Sequence, residues 1–176
     1  MPFTPYHFGP NAAAGMFFNR IINLPAFIFV NVAMDIEPGI VLLMKSSIYP
    51  EHGFFHSFGG AIIIGLLFSL FYISIKGPAH AFMAAIRLPQ SRSIGPIIFG
   101  SLLGACLHTV FDSFLYRDIT PFYPFDYNPF YGLISPPDLR MLCVISYGLA
   151  AVFYILKLAL GKKIRRGYGP ESDYSE

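Results

Sequence analysis

Three apolar runs in the chain are long enough to cross a lipid bilayer. They cover residues 58–75, 94–116 and 141–160, and a spanning helix needs roughly 20 apolar residues. The bilayer interior offers no partner for backbone N–H and C=O groups, so each run should form a helix that satisfies its own hydrogen bonds. The pattern therefore predicts an all-α membrane protein.

A fourth apolar stretch, residues 21–44, is interrupted by polar residues and a proline, namely Asn31, Asp35, Glu37 and Pro38. The interruptions leave pieces of about 14 and 6 residues, which is short for a span. Such pieces are typical of a re-entrant or interfacial element, although a complete fourth span stays open. We expect an integral membrane helical bundle of three to four transmembrane helices with a re-entrant or interfacial N-terminal part.

Composition supports this class of protein. Hydrophobic residues make up 55% of the chain and charged residues only 12%, whereas soluble domains average about 25% charged residues. The formal net charge of +2 provides no basic field for nucleic acid, which we exclude as a partner. The two cysteines, Cys106 and Cys143, lie within apolar runs and are typical of core residues rather than of a disulfide framework. We expect one membrane-embedded domain over residues 1–166 and a polar C-terminal tail over residues 167–176.

Basic residues predict the orientation in the cell membrane. The link between the first two runs carries Lys76, Arg87 and Arg92 and no acidic residue. The segment after the third run adds further basic residues, Lys162, Lys163, Arg165 and Arg166. The positive-inside rule places both segments, and hence the C-terminus, in the cytoplasm. Residues up to about 57 and the loop 117–140 then face the non-cytoplasmic side.

Two polar residues in the second run indicate a binding site. His108 and Asp112 lie four residues apart, so they share one helix face, and burying either without a partner costs several kcal/mol. With a rise of 1.5 Å per residue, they lie roughly 21 and 27 Å beyond Ile94, near the non-cytoplasmic end. His56 lies just before the first run, at that same end, and His52 precedes His56 by four residues. The hairpin of these two helices therefore brings three histidines and an aspartate together.

Asp35 and Glu37 lie on the broken segment that leads to the same side, while His80 falls in the cytoplasmic link and is expected at the surface. Mixed sets of histidine and carboxylate favour a divalent metal, zinc first, with manganese and iron open. A site that keeps a position for water suits hydrolysis, with Glu37 or Asp118 available as the base. The familiar HExxH, GxSxG and P-loop motifs do not occur.

Each element also has a plainer interpretation. His108 and Asp112 can be a hydrogen-bonded pair that ties two helices together, and His52 and His56 can be ordinary interfacial histidines. The acidic pair in the fourth stretch can belong to a polar turn. All of these residues are predicted to lie on one side of the membrane, and this favours a common site.

Four short motifs together resemble a family of small membrane-bound metal-dependent hydrolases of bacteria and archaea, remotely akin to zinc-dependent phospholipase C. They are TPYH ending at His7, DIEP with Asp35 and Glu37, EHGFFHSFGG with His56, and HTVFD with its histidine and aspartate. The resemblance extends over about residues 1–125. One departure is the pair Glu51-His52, where many relatives carry His-Arg.

The resemblance implies a ligand set. Asp35, His56, His108 and Asp112 would ligate one ion, and His7 would approach the same cluster and help to hold a second ion, with Asp112 as the bridge. One or two ions are therefore expected, with His52 as a lesser ligand.

The aromatic loop after the second run suits the interface between water and lipid and can act as a membrane anchor. It can also form a lid that admits lipid-like substrates. The leading hypothesis is hydrolysis of an ester or phosphoester, which can belong to a phospholipid or another lipid-linked molecule, by a metal-activated water. The alternative is a non-catalytic membrane protein with a structural metal or a role in metal or proton transfer. The oligomeric state is left open.

Overall fold

A computed structural model describes residues 5–45, 52–91 and 93–167 of the chain. Within these ranges the protein is all-helical, without a strand, as predicted. The helices are α1 (Pro5–Phe17), α2 (Leu24–Met34), α3 (Ile36–Met44), α4 (Phe58–Ala85), α5 (Gly95–Leu115) and α6 (Pro136–Gly167), with a 3₁₀ turn at Phe54–His56. Helical segments long and apolar enough to cross a membrane are Leu24–Met44, Phe58–Ala85, Gly95–Leu115 and Pro136–Leu160.

The first of these segments joins α2 and α3 through Asp35. This residue keeps right-handed helical dihedral angles, φ −74° and ψ −3°, and its N–H and C=O groups bond to Asn31 and Gly39. Pro38 lies in the first turn of α3, where a missing N–H is tolerated. The polar residues therefore do not end the helical path, and the segment reaches 21 residues. The described residues thus contain four candidate spans, the upper value of the predicted three to four.

Helix α4 extends beyond the predicted run, which ended at residue 75, and continues to Ala85 with Pro78 inside it. His80 lies on this extension, and its Nε2 is 3.3 Å from the Nδ2 of Asn23. The expectation of a surface histidine is therefore wrong: its side chain is only partly exposed. Helix α6 also extends further than predicted, to Gly167, while residues 168–176 of the expected tail lie outside the described residues.

Glycines set the separation between α2 and α5, which run parallel. A Cβ atom at Gly104 would lie 2.6 Å from the carbonyl oxygen of Phe27, and one at Gly100 would lie 3.2 Å from that of Asn23. Small residues four apart let two helices approach closely. One turn further along α5 the same face presents His108, which therefore lies against Asn31 of α2.

Helix α1 runs antiparallel to α2, with Asn11 donating a hydrogen bond from Nδ2 to the carbonyl oxygen of Phe27. On its other side α1 packs against α6, where a Cβ atom at Gly9 would lie 2.5 Å from the carbonyl oxygen of Cys143. The hairpin of α1 and α2 therefore begins at His7 and ends at Asp35 at the same end of the bundle.

The outer faces of the helices are apolar. On α4, for example, the side chains of Leu70 and Phe71 are 66% and 57% exposed, and most of α6 is similarly uncovered. Soluble monomers rarely expose continuous apolar surface of this size, whereas a bilayer covers it with lipid chains. The fold is that of a multi-pass helical membrane protein whose partner is the lipid bilayer.

Candidate metal centre

Four residues from three parts of the fold form one cluster. The junction of α2 and α3 contributes Asp35, the 3₁₀ turn contributes His56, and α5 contributes His108 and Asp112. One donor atom from each of them lies within 4.8 Å of the others. These are the four residues that the family resemblance implied as ligands of one ion.

The distances between donor atoms suit a small divalent cation. His108 Nε2 lies 3.2 Å from Asp112 Oδ2 and 3.5 Å from Asp35 Oδ1, and His56 Nε2 lies 4.0 Å from Asp112 Oδ2. Ligands bound about 2.1 Å from a tetrahedral ion are about 3.4 Å apart. The closer pairs already match this spacing, and the donors as a whole, which lie within 4.8 Å of one another, would close around one ion through side-chain rotations.

The tautomers of both histidines follow from their other ring nitrogen. His108 Nδ1 is 3.1 Å from Asn31 Oδ1, and His56 Nδ1 is 3.0 Å from Glu37 Oε2. Both oxygens are acceptors, so each Nδ1 carries the proton and donates it. The lone pair of each Nε2 then points into the cluster, as in metal sites whose histidines are oriented by a carboxylate or amide.

Buried polar atoms in the cluster lack hydrogen bonds among the described residues. They are Nε2 of His56, Nε2 of His108 and Oδ1 of Asp112. An unsatisfied buried polar atom costs about 1–3 kcal/mol and occurs rarely without a reason. A cation among these lone pairs removes that cost, so the residues fit a bound metal.

His7 adds a second set of donors beside the first. Its side chain is 3% exposed, and its Nε2 lies 3.2 Å from Asp112 Oδ1 without the alignment of a hydrogen bond. The two carboxylate oxygens of Asp112 therefore face different histidines, Oδ1 toward His7 and Oδ2 toward His108. This arrangement suits a carboxylate shared between two groups of ligands.

Burial lowers the pKa of His56 below its ordinary value, and the hydrogen bond to Glu37 only partly opposes this effect. Desolvation disfavours the charged imidazolium, so the neutral ring is favoured. The neutral ring is also the form that binds a metal.

His52 and Asp118, predicted as a lesser ligand and as a base, bond to each other beside the cluster. His52 Nδ1 lies 3.1 Å from Asp118 Oδ2, and the His52 backbone N–H donates to the same oxygen. The His52 ring packs against His56 and Tyr116, with centroid distances of 5.0 and 4.2 Å. His52 is therefore a neighbour of the four donors and not one of them.

A tight turn before α4 positions His56. Ser57 caps the helix, since its Oγ accepts a hydrogen bond from the Gly60 N–H and donates one to the carbonyl oxygen of Phe54. A Cβ atom at Gly60 would lie 2.3 Å from that oxygen. Only glycine lets the turn fold down onto α4, which directs the His56 ring into the bundle.

Sequence reasoning missed the role of Asn31, which it treated only as an interruption of an apolar stretch. The side chain is fully buried, and Nδ2 donates to the carbonyl oxygens of Phe27 and Ile28. This leaves Oδ1 to accept from His108. The available signal was its position four residues before Asp35, which places both on one helix face.

Solvent reaches the cluster from one side. The Asp35 side chain is 25% exposed, whereas those of His56 and His108 are completely buried and that of Asp112 is 4% exposed. The site is therefore enclosed by the bundle and accessible at the carboxylate of Asp35.

Comparisons with family models, with curated proteins and with solved structures found no match to this chain.

Proposed function

We propose that this protein is a membrane-bound metal-dependent hydrolase of esters or phosphoesters. The observation that carries the proposal is the cluster of Asp35, His56, His108 and Asp112. Buried atoms of its two histidines and of Asp112 lack hydrogen bonds, and the cluster is accessible at Asp35. Catalytic sites keep a coordination position for water or substrate. Four protein ligands fill a tetrahedral ion, so catalysis here requires that the ion accept a fifth ligand or that the exposed carboxylate of Asp35 give way to water.

The donor set favours zinc, with manganese and iron as alternatives. When bound, such an ion activates water as a nucleophile and polarises the substrate oxygen. Asp35, His56, His108 and Asp112 would hold it. His7 and Asp112 would hold a second ion if two are present.

Other residues around the cluster have positioning roles in this proposal. Asn31 and Glu37 hold the tautomers of His108 and His56 through the contacts at Nδ1. Each of the two carboxylates predicted as the base bonds to a histidine, Asp118 to His52 and Glu37 to His56. Asp118 is the better candidate because its side chain is 40% exposed, whereas that of Glu37 is 10% exposed.

An apolar layer argues against a transfer path through the bundle. A fully buried apolar cluster lies deeper in the bundle than the donors, along α2, α4 and α5. It consists of Val30, Met34, Ala61 and Ala105. The buried polar residues near this depth, among them Asn11 and Thr109, are uncharged, whereas paths for ions and protons are marked by ionisable groups. A site that works at one face of the membrane agrees better with this packing.

We also propose the non-cytoplasmic side for this face and membership of the membrane-bound metal-dependent hydrolase family. The sidedness follows from the basic residues at the opposite end of the helices. The family proposal rests on the four motifs, whose residues His7, Asp35, His56, His108 and Asp112 converge in space.

Metal analysis of the purified full-length protein tests the proposal. We expect a stoichiometric transition metal in the wild type and its loss in His108→Ala and Asp112→Ala. His80→Ala removes a histidine outside the cluster and is the matched control. Hydrolysis of generic phosphodiesters and carboxylic esters should require the metal.

A wild type without metal, or cluster variants that retain it fully, would contradict the metal site. A stoichiometric metal with no hydrolysis of either substrate class would favour a structural role instead.

A further inference from the structure

A long apolar cleft of about 1060 Å³ lies between α2–α3 on one side and α4 on the other. Residues of all three helices line it, including Phe29, Ile40, Leu67 and Phe71. Among its described lining residues Glu37 alone is charged. The cleft is at the upper end of the roughly 300–1,000 Å³ typical of ligand pockets, which is more apolar space than a small soluble ester needs.

The cleft follows the length of the membrane-spanning helices. Its lining residues on α4 from Ile64 to Ile75 alone extend over about 16 Å. One leaflet corresponds to half of the hydrocarbon core of about 30 Å. The cleft is thus at least as long as one leaflet is deep.

One end of the cleft meets the metal centre. Glu37 lines the cleft, and its Oε2 is 3.0 Å from Nδ1 of His56. Two further lining residues, Met34 and Phe55, directly precede the cluster residues Asp35 and His56. A molecule in the cleft would therefore have its polar end at Glu37, next to the cluster.

The cleft is poorly suited to a further helix. Helices in membranes pack through small residues, whereas the cleft face of α4 presents large ones, among them Ile64, Phe68 and Phe71. The small residue Gly65 of α4 is used against Leu102 of α5. A flexible hydrocarbon chain can fill a surface made of large, uneven side chains.

We infer that the cleft binds the hydrocarbon chain of a membrane lipid and presents the ester or phosphoester of its head group to the metal centre. The apolar wall matches a hydrocarbon chain, and a cation held by the cluster beside the Glu37 end of the cleft would attract the oxygen of an ester or phosphate. The inference rests on the proposed function for the reaction and names a membrane lipid as the substrate class. A second copy of this chain in the cleft is an alternative outcome of the test.

The absence of tryptophan from the chain permits a direct test. Phe71→Trp places a fluorophore in the cleft, and Leu70→Trp places one on the adjacent residue, which does not line the cleft and lies at nearly the same depth. Each full-length variant in detergent is titrated with a lysophospholipid whose acyl chain is brominated, since bromine quenches tryptophan on contact.

We expect saturable quenching of Phe71→Trp at about one lipid per protein, reversed by the unbrominated lipid. Leu70→Trp should show weak quenching that rises linearly with the probe. If the Phe71 variant does not fold, Leu67→Trp in the cleft and Leu66→Trp outside it provide the same comparison.

Equal, unsaturable quenching at both positions would overturn the inference, because it indicates ordinary solvation by lipid. Absence of quenching at Phe71→Trp in a protein that is dimeric would also overturn it and indicate a second copy in the cleft. Quenching does not depend on catalysis, so the two proposals can fail separately. Hydrolysis of a soluble phosphoester without saturable quenching would refute only the binding of a lipid chain in the cleft. Saturable quenching without any hydrolysis would refute only the proposed enzyme activity.

Discussion

At the scale of single residues, the metal centre depends on which ring nitrogen each histidine presents. His56 and His108 both donate from Nδ1, to Glu37 and Asn31 respectively, and so present Nε2 to Asp112. Partners of this kind commonly affect metal affinity by 10–100-fold when they are removed. Asn31 and Glu37, which are not among the four donors, are therefore as testable as the donors themselves.

Asn31→Leu removes the acceptor that orients His108. We expect the dissociation constant for zinc to rise about 10–100-fold, measured by competition with a chelator on the full-length protein. Asn19→Leu, in the turn between α1 and α2, makes the same substitution outside the cluster and should leave the affinity unchanged. An unaltered affinity in Asn31→Leu would show that the amide does not position the ring.

Two substitutions distinguish whether Glu37 positions the His56 ring or acts as the base. Glu37→Gln keeps an oxygen that accepts from His56 Nδ1, so metal content and hydrolysis should both be largely retained. Glu37→Leu removes the acceptor and should weaken metal binding about 10–100-fold. Full metal content with lost hydrolysis in Glu37→Gln would assign the role of base to Glu37 instead of Asp118.

At the scale of elements, glycines decide how closely the ligand-bearing segments approach. Gly104 brings α5 against the backbone of α2, and Gly60 brings the 3₁₀ turn against α4. The first contact places His108 beside Asn31, and the second directs His56 into the bundle. The positions of the donors are therefore consequences of backbone packing.

Gly60→Ala tests the second contact. The added Cβ would meet the backbone of Phe54 and Phe55 at 2.3 and 2.4 Å, which a flexible side chain cannot relieve. We expect about 1–3 kcal/mol of destabilisation and reduced metal content, followed by thermal unfolding and metal analysis.

Gly59→Ala is the neighbouring control, because its Cβ would meet nothing closer than 3.7 Å. It should be neutral or raise stability by up to about 1 kcal/mol, since alanine is the better helix former. Equal destabilisation by both substitutions would contradict the packing argument.

At the scale of the whole molecule, the helices bring the donors to one end and a link rich in basic residues to the other. In the described part of the chain this link includes Arg87 and Ser91. The loop after α5 lies at the opposite end, next to the donors, where the Phe58 N–H donates to the carbonyl oxygen of Pro121. The proposal that the cluster lies on the non-cytoplasmic side rests on the positive-inside rule applied to this link.

Cysteine labelling in intact cells checks this orientation. In a background with Cys106 and Cys143 replaced by alanine, Asp126→Cys should react with a membrane-impermeant maleimide added outside. Ser91→Cys should react only after the membrane is made permeable. The reverse pattern would place the metal centre in the cytoplasm and refute the proposed sidedness.

Much of the architecture could be predicted because it depends on local properties. The runs around α4, α5 and α6 are apolar over the length of a bilayer, and this is sufficient for helices there. The continuous path through Asp35 could not be predicted, since the polar residues that interrupt 21–44 are accommodated by tertiary contacts. Asn31 bonds to His108, and Glu37 bonds to His56.

The sequence by itself determined that the protein is a helical membrane protein, and its motifs contained the four residues of the metal cluster. Hydropathy and the spacing of His108 and Asp112 are properties of neighbouring residues, so they can be read along the chain. Only the tertiary structure decided that Asn31 and Glu37 orient the histidines and that His52 bonds to Asp118. Such pairings depend on distances between separate helices, which close glycine contacts set and which no local pattern contains.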